Sequence, residues 1–206
     1  MPYVWPGSDV SQIIQGDAKT VLQELPTKCV DLVFTDPPYS RAYKETFQYL
    51  ADYCPRLMKR GASLVSITPH YLLEEVMVMF LGGEENHGKS MSQIEGSHPR
   101  MAMGIEVGWK PMLWYVKEAY PSGRGFLRDW IEIQGKAGIK KENHEWEQDV
   151  DWATYYIGKL TRPGDLVLDP YFGSGTVGDV CKALGRSYIG IDIDPIAIKT
   201  AQERLA

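Results

Sequence analysis

One segment in the last quarter of the chain restricts the possible folds more than any other. The apolar residues 166–168 lead into a glycine-rich loop at 173–178, which fits the pattern G-x-G-x-x-G, and a helical stretch follows. The next apolar run ends at Asp192, 17 residues beyond Gly175. A strand, a glycine-rich turn, a helix and a second strand make up the βαβ unit of a parallel sheet, and the turn of such a unit is a common ligand-binding site.

The rest of the chain alternates between strand-like and helix-like segments in the same way. Apolar or β-branched runs predict further strands at 13–14, 30–35, 63–68, 112–116 and 188–192. Helical spacing predicts helices at 18–25, 43–59, 71–80, 150–160, 177–184 and from 195 onward. Residues 82–103 lack periodicity and predict a surface loop of about 20 residues. The alternation predicts an α/β fold with a doubly wound, mostly parallel sheet, in a single domain over 1–206.

The glycine-rich loop suits an adenosine-type cofactor. Glycines let the backbone approach a ligand closely, and the Asp192 carboxylate at a strand tip can accept both ribose hydroxyls. The loop alone does not distinguish NAD, FAD and S-adenosylmethionine, and a tight turn without a ligand is the simpler alternative. Asp169-Pro170 before the glycines favours S-adenosylmethionine, because dinucleotide enzymes usually continue an apolar strand there.

A second motif, Asp36-Pro37-Pro38-Tyr39, ends the predicted strand at 30–35. In open α/β sheets, ligands bind at the carboxyl ends of the strands. The prolines lack N–H groups and leave carbonyls pointing outward, while Asp36 adds a carboxylate acceptor and Tyr39 an aromatic face. Asp36 and the Pro37 carbonyl can therefore accept hydrogen bonds from an amine on a planar ring that stacks on Tyr39. A rigid turn is the alternative explanation of the same residues.

Charge and cysteine usage limit the class and the location of the protein. The net charge is −5, yet residues 89–141 hold nine Lys/Arg against five Asp/Glu. This region is either an ordinary solvated surface or a contact region for nucleic acid. No apolar run reaches ~18 residues, and residues 1–6 do not resemble a signal peptide. The three cysteines show no metal-binding spacing, so we expect a cytoplasmic protein without a metal site.

Two blocks of the sequence resemble the amino-methyltransferases that modify adenine N6 or cytosine N4 in DNA. The first block, 15–39, carries the Asp36-Pro37-Pro38-Tyr39 motif, and the second, 161–194, carries the glycine-rich loop. The catalytic block precedes the cofactor block, as in the circularly permuted β group of this family. The resemblance implies a Rossmann-like methyltransferase fold, cut between its second and third strands. Residues 13–14 would then form the third strand, with Asp17 at its tip.

The same resemblance implies the site residues. Asp36, Pro37, Pro38 and Tyr39 would be catalytic. S-adenosylmethionine would be bound by Asp17, Asp169, Pro170, Phe172, Gly173, Ser174, Gly175, Thr176 and Asp192. Members of the β group often carry a His-Pro-x-x-Lys-Pro-like segment along the methionine end of the cofactor. Only His144 agrees with that pattern here, and a surface or capping histidine is an equal alternative.

The implied reaction is direct methyl transfer to a base that has left the duplex, or to single-stranded DNA. Adenine N6 is the preferred target, because Asp at the first motif position is commoner with adenine in this family, and cytosine N4 is the alternative. Candidate phosphate contacts in the predicted DNA-contacting loops of 82–143 are Arg100, Lys110, Arg124, Arg128, Lys140 and Lys141.

The chain is short for the family and shows no obvious separate recognition domain. It is therefore expected to have a short or loosely specified target, or help from a partner in a homodimer. Three other classes remain alternatives: an RNA or protein amine methyltransferase, a non-catalytic binding subunit, and a nicotinamide enzyme that uses the glycine-rich loop.

Overall fold

A computed structural model of the protein describes residues 7, 10–81, 86–95, 100–102, 105–107, 109–118, 127–129, 131–132 and 150–206. The strands are β1 (Gln12–Gln15), β2 (Val30–Thr35), β3 (Met58–Ile67), β4 (Asn86–Glu95), β5 (Arg100–Ala102), β6 (Ile105–Val107), β7 (Lys110–Lys117), β8 (Ile131–Glu132), β9 (Leu166–Asp169) and β10 (Ser187–Asp192). The helices are α1 (Ala18–Glu24), α2 (Lys44–Leu57), α3 (Leu73–Leu81), α4 (Val150–Leu160), α5 (Thr176–Leu184) and α6 (Pro195–Leu205). Over these described ranges, none of the helices is long and apolar enough to cross a membrane.

Eight of the strands form one sheet in the order β1-β10-β9-β2-β3-β7-β4-β8. Five neighbouring strands run parallel to one another: β1, β10, β9, β2 and β3. The strand β7 pairs antiparallel with both β3 and β4. The prediction of a doubly wound, mostly parallel sheet is therefore confirmed. The outermost strand on one side of the sheet is β1, the first strand in the sequence, and its neighbour is β10, the last strand in the sequence. This order confirms the circular permutation that the resemblance implied.

Each face of the sheet carries its own apolar cluster. Side chains alternate along a strand, so Val33 enters one cluster while Leu32 and Phe34 enter the other. Helices α1, α2 and α3 pack on the first face, and helices α4, α5 and α6 pack on the second. Burial on both faces explains why the parallel strands are continuous apolar runs in the sequence rather than alternating ones.

The loop predicted over 82–103 is wrong for much of that range. Its residues Asn86–Glu95 form β4, and Arg100–Ala102 form β5. The local sequence of β4 is polar and contains a single β-branched residue, Ile94, so it has little strand propensity of its own. It is a strand because it pairs antiparallel with nearly all of the buried β7. Such pairing overrides local preference, which is a weak guide for strands.

Candidate active site

Both sequence motifs begin at the same point of the sheet, where β9 and β2 lie side by side. The two strands pair in parallel, with Leu32 opposite Val167. The chain crosses from β9 to β10 on one side and from β2 to β3 on the other. Two connections that leave in opposite directions open a crevice at the carboxyl ends of the strands, where ligands of doubly wound sheets bind. Asp169 is the last residue of β9, and Asp36 follows β2 directly.

A buried hydrogen bond joins the two motifs. The hydroxyl of Thr35 donates to Asp169 Oδ1 at 2.7 Å, and both residues are buried. The backbone N–H of Tyr171 donates to the same oxygen at 3.1 Å. The carboxylate therefore ties the end of β2 to the start of the glycine-rich loop. Sequence reasoning did not identify Thr35 as a site residue. The only sequence signal for it is a hydroxyl at the last position of the predicted strand, next to Asp36.

Three carboxylates converge on this crevice. The pKa of the Asp169 carboxyl is raised to about 7, mainly by burial and to a smaller extent by the negative charges of Asp192 and Asp36. The hydrogen bonds from Thr35 and Tyr171 oppose that increase in pKa. The ends of β2, β9 and β10 thus place acidic groups close enough to influence one another.

The glycine-rich loop is held by the carboxylate of Asp192. The N–H of Gly173 donates to Asp192 Oδ2 at 2.8 Å, and the N–H of Asp194 donates to Oδ1 at 2.9 Å. Gly173 has a φ of +53° and Gly175 a φ of +87°, which side chains disfavour. A Cβ on Gly173 would meet nothing within 4 Å, whereas one on Gly175 would lie 3.1 Å from the Ala201 Cβ. The loop is packed at Gly175 and open at Gly173.

Phe172 turns away from the loop into the core. Its side chain is buried and stacks with Tyr188 at a centroid distance of 5.6 Å. A Cβ on Gly178 would lie 2.7 Å from the Phe172 Cζ, and a Cβ on Gly190 would overlap the ring. These two glycines make room for the phenyl group. Phe172, one of the cofactor residues implied by the resemblance, therefore has its side chain in the core.

The remaining loop residues occupy the passage from β9 into α5. Pro170 is buried behind Asp169, and Ser174 is half-buried in the turn. Thr176 is buried at the first position of α5, where its hydroxyl lies 3.4 Å from Arg204 Nη1. The residues of the second motif that the resemblance assigned to the cofactor are thus contiguous around the start of this helix.

Asp17 lies at the same edge of the sheet as Asp192. The N–H of Gly16 donates to the backbone carbonyl of Asp192 at 2.9 Å, which fixes the end of β1 beside the end of β10. Asp17 is exposed, and its Oδ1 caps α1 by accepting from the N–H of Thr20 at 3.2 Å. Capping by an Asp side chain stabilises the start of a helix. The structure therefore brings Asp17 and Asp192 to adjacent strand tips.

The Asp36-Pro37-Pro38-Tyr39 segment leaves the sheet beside Asp169. Asp36 is half-buried and Pro37 is buried, and the half-buried Tyr39 packs against the second apolar cluster. The ammonium of Lys110 lies 5.4 Å from the centroid of the Tyr39 ring and 3.4 Å from its hydroxyl oxygen. Lys110, one of the candidate phosphate contacts, thus contacts the motif itself.

The other candidate DNA contacts are only partly covered by the structure. Arg128 is exposed, and its backbone N–H and carbonyl bond to the hydroxyls of Tyr155 and Tyr156 on α4. Arg100 is the first residue of β5. Arg124, Lys140, Lys141 and His144 lie outside the described residues. Among the residues that are described, no group of three or more His, Cys, Asp or Glu side chains is placed to hold a metal ion.

The sequence matches one protein family over more than half of its length. The model of the family N6_N4_Mtase, described as DNA methylase, matches residues 89–203. The DNA adenine methyltransferase YhdJ of Escherichia coli (strain K12) is 26% identical over 249 residues, which cover 97% of this chain and 84% of that protein. The type II methyltransferase M.XycI of Xanthomonas campestris pv. cyanopsidis is 26% identical, with coverage of 95% and 87%.

Solved structures share the same arrangement of strands and helices. The crystal structure of the M1.HpyAVI–SAM complex has a TM-score of 0.75 and 27% sequence identity, and the match covers 95% of this chain and 99% of that one. The cytosine-N4-specific PvuII DNA methyltransferase has a TM-score of 0.78 at 16% identity, with coverage of 97% and 88%. At that identity, the second likeness concerns the fold alone.

Proposed function

The chain belongs to the N6_N4_Mtase family of DNA methylases, and we propose that it transfers the methyl group of S-adenosylmethionine to N6 of adenine in DNA. The observation that carries this proposal is the buried bond between Thr35 and Asp169, which joins the proposed catalytic motif to the proposed cofactor loop. Adenine is preferred because Asp36 opens the motif and because the similar YhdJ protein is named as an adenine methyltransferase.

The residues around the glycine-rich loop fit S-adenosylmethionine. The open space at Gly173 and its positive φ allow a ligand to approach the backbone closely. We propose that Asp192 accepts the ribose hydroxyls, since each of its oxygens has a second lone pair beyond the backbone N–H that it binds. Asp17 at the neighbouring strand tip would accept from the adenine amine, and the loop residues 169–176 would line the methionine part.

The second motif positions the amine that receives the methyl group. S-adenosylmethionine, when bound, supplies an electrophilic methyl on a sulfonium. In our proposal, the Asp36 carboxylate and the Pro37 carbonyl accept hydrogen bonds from the two N–H groups of the adenine amine. These two bonds turn the nitrogen lone pair towards the crevice. Tyr39 stacks on the purine ring, and Pro38 fixes the direction of the turn. As the N–C bond forms, the bond between the methyl carbon and sulfur would break with its electron pair left on sulfur. The amine proton that is hydrogen-bonded to Asp36 would then pass to that carboxylate and on to solvent. Catalysis is then mainly alignment of two bound reactants.

The position of the basic region supports contacts to DNA. The chain leaves the sheet at the end of β4 and returns at the start of β7, and both points lie at the edge that carries Asp36. We propose that Arg100, Arg124, Arg128, Lys140 and Lys141 contact phosphates. Of these, Arg128 has an exposed side chain. We further propose a homodimer with a short target sequence, located in the cytoplasm, and a contribution of His144 to the methionine end of the site.

The first test of the catalytic assignment is Asp36→Ala. We expect methyl transfer from labelled S-adenosylmethionine to unmethylated DNA to fall by more than about 100-fold, because the amine loses its acceptor. Cofactor affinity, measured by calorimetry, is expected to stay within about twofold, because Asp36 lies in the other motif. Asp52→Ala is the matched control, since Asp52 is an exposed carboxylate on α2 that bonds only locally to Gln48.

The choice of acceptor decides between this proposal and its alternatives. RNA and protein offered in the same assay are expected to take up no label. Transfer to RNA or protein but not to DNA would replace the proposal, and unchanged transfer by the Asp36→Ala variant would remove Asp36 from catalysis.

A further inference from the structure

We infer that Lys110 is a positioning residue for methyl transfer, which holds the Tyr39 ring in the orientation in which the target base stacks on it. The inference rests on the proposed function, because it concerns the same site. It assigns to Lys110 a role different from the phosphate contact that the charge distribution suggested.

The placement of the Lys110 side chain is unusual for a lysine. Lysine side chains are mostly exposed in proteins, yet Lys110 is half-buried at the start of β7. Its ammonium lies 5.4 Å from the centroid of the Tyr39 ring and 3.4 Å from the phenolic oxygen. The ammonium is therefore nearer to the hydroxyl end than to the centre of the ring, and it donates a long hydrogen bond to the phenolic oxygen. A cation within about 6 Å of the centroid is also attracted by the π electrons, and the attraction grows when the pair is partly shielded from water.

The backbone that carries Lys110 is fixed on both sides. The N–H of Thr68 donates to the carbonyl of Pro111 at 2.9 Å. The Nε2 atom of His70 lies 2.5 Å from the carbonyl oxygen of Trp109, and the two rings meet edge to face at 4.2 Å. Both contacts come from the segment that follows β3, at the carboxyl edge of the sheet. Lys110 therefore reaches Tyr39 from a fixed origin.

Tyr39 itself lies in a segment without regular structure. It follows Pro37 and Pro38, outside any helix or strand, so its ring is held by side-chain contacts with the second apolar cluster and with Lys110. An ammonium at the hydroxyl end of the ring restricts its movement, and in the proposed function this is the ring on which the target base stacks. Removing the cation is then expected to disturb the alignment of the base rather than the binding of the cofactor.

A double-mutant cycle tests whether Lys110 acts through Tyr39. We expect Lys110→Met to lower kcat for DNA methylation about tenfold and to leave the KM for S-adenosylmethionine within about twofold. In a Tyr39→Ala background, the same substitution is expected to have no further effect on kcat. An equal loss of kcat in both backgrounds would overturn the inference. Lys199→Met, on an exposed lysine of α6, is the control and should behave as the wild type.

The salt dependence of DNA binding separates this role from a direct phosphate contact. A lysine that binds a phosphate contributes about one unit to the slope of log K against log salt concentration. We expect the slope of Lys110→Met to equal that of the wild type, and a slope smaller by about one unit would overturn the inference.

The Lys110→Arg variant keeps a cation at the ring and covers the case in which Lys110→Met does not fold. It is expected to retain at least half of the wild-type kcat; a folded Lys110→Arg protein with no activity would contradict the inference. Failure of the wild type to methylate DNA would instead refute the proposed function. An active wild type with additive effects would refute only the role of Lys110.

Discussion

The hydroxyl of Thr35 and the carboxylate of Asp169 form a buried hydrogen bond of 2.7 Å, although 134 positions separate the two residues in the chain. Thr35 is the last residue of β2 and immediately precedes the Asp36 motif. Asp169 is the last residue of β9 and precedes the glycine-rich loop. The bond therefore sets the position of one motif relative to the other, and alignment is what transfer between two bound molecules requires.

Replacing Thr35 with valine is expected to lower the free energy of unfolding by about 1–3 kcal/mol. Valine keeps the shape of threonine but leaves a buried oxygen of Asp169 without its hydroxyl donor. Urea unfolding at pH 8, where most of the Asp169 carboxyl is ionised, measures the loss. The control is Thr154→Val, whose exposed hydroxyl bonds only within α4 and whose loss should stay within about 0.5 kcal/mol. Equal losses for the two variants would contradict this account of the bond.

The stability of the fold is expected to fall as the pH rises from about 4 to about 7, because of Asp169. Burial raises the pKa of its carboxyl to about 7 in the folded protein, whereas an unfolded aspartate titrates near about 3.9. Between these two pKa values the folded state binds more protons than the unfolded state. The stabilisation is therefore complete below the unfolded pKa and is lost as the pH rises through the folded pKa. Between pH 5 and pH 8 the loss amounts to about 3 kcal/mol.

Asp169→Asn isolates this effect, because asparagine keeps an oxygen acceptor for Thr35 and does not titrate. Urea unfolding of both proteins at pH 5 and pH 8 gives the comparison. The variant should lose less stability than the wild type over this interval. A pH dependence that is the same in both proteins would show that Asp169 is not the titrating group.

Gly190→Ala is expected to destabilise the protein by about 1–3 kcal/mol or more, because the added methyl group would overlap the ring of Phe172. The matched control is Gly158→Ala on the exposed side of α4, where the nearest atom to the new Cβ is Leu184 Cδ1 at 3.8 Å. That change should stabilise by about 0.5–1 kcal/mol, since alanine favours helix interiors. Thermal unfolding of the two variants should therefore shift in opposite directions, and shifts in the same direction would refute the packing role.

Asp192→Ala is expected to weaken the binding of S-adenosylmethionine by at least about tenfold in calorimetry. The substitution removes the acceptor that holds the Gly173 N–H, and with it the proposed acceptor of the ribose hydroxyls. Asp165→Ala provides the comparison, because Asp165 accepts the N–H of Arg162 in the turn before β9, at the opposite edge of the sheet. Unchanged affinity of the Asp192→Ala protein would remove this carboxylate from the cofactor site.

Much of the fold followed from periodicity, because β2 and α4 bury continuous or regularly spaced apolar residues. Periodicity did not predict β4, because its residues are polar. This segment is a strand because it pairs with β7. The sequence did not show that Gly178 and Gly190 make room for the ring of Phe172.

The two motifs of the site were predictable from the sequence, but the contacts that bring their residues together were not. Lys110 and Tyr39 are 71 positions apart, and Thr35 and Asp169 are 134 apart, so no local pattern reports that either pair is in contact. Both contacts depend on which strands become neighbours in the sheet. That order could be inferred only through the family resemblance, which implied the permuted connection of β1, β9 and β10.

Mass spectrometry of the nucleosides from DNA treated with the purified protein tests the central claim most directly. Unmethylated DNA is incubated with S-adenosylmethionine and the wild-type protein, with the Asp36→Ala variant as the parallel reaction, and is then digested. We predict N6-methyladenine in the wild-type reaction and none in the variant reaction. N4-methylcytosine in place of N6-methyladenine would contradict the choice of base, and the absence of any methylated nucleoside would contradict the proposed function.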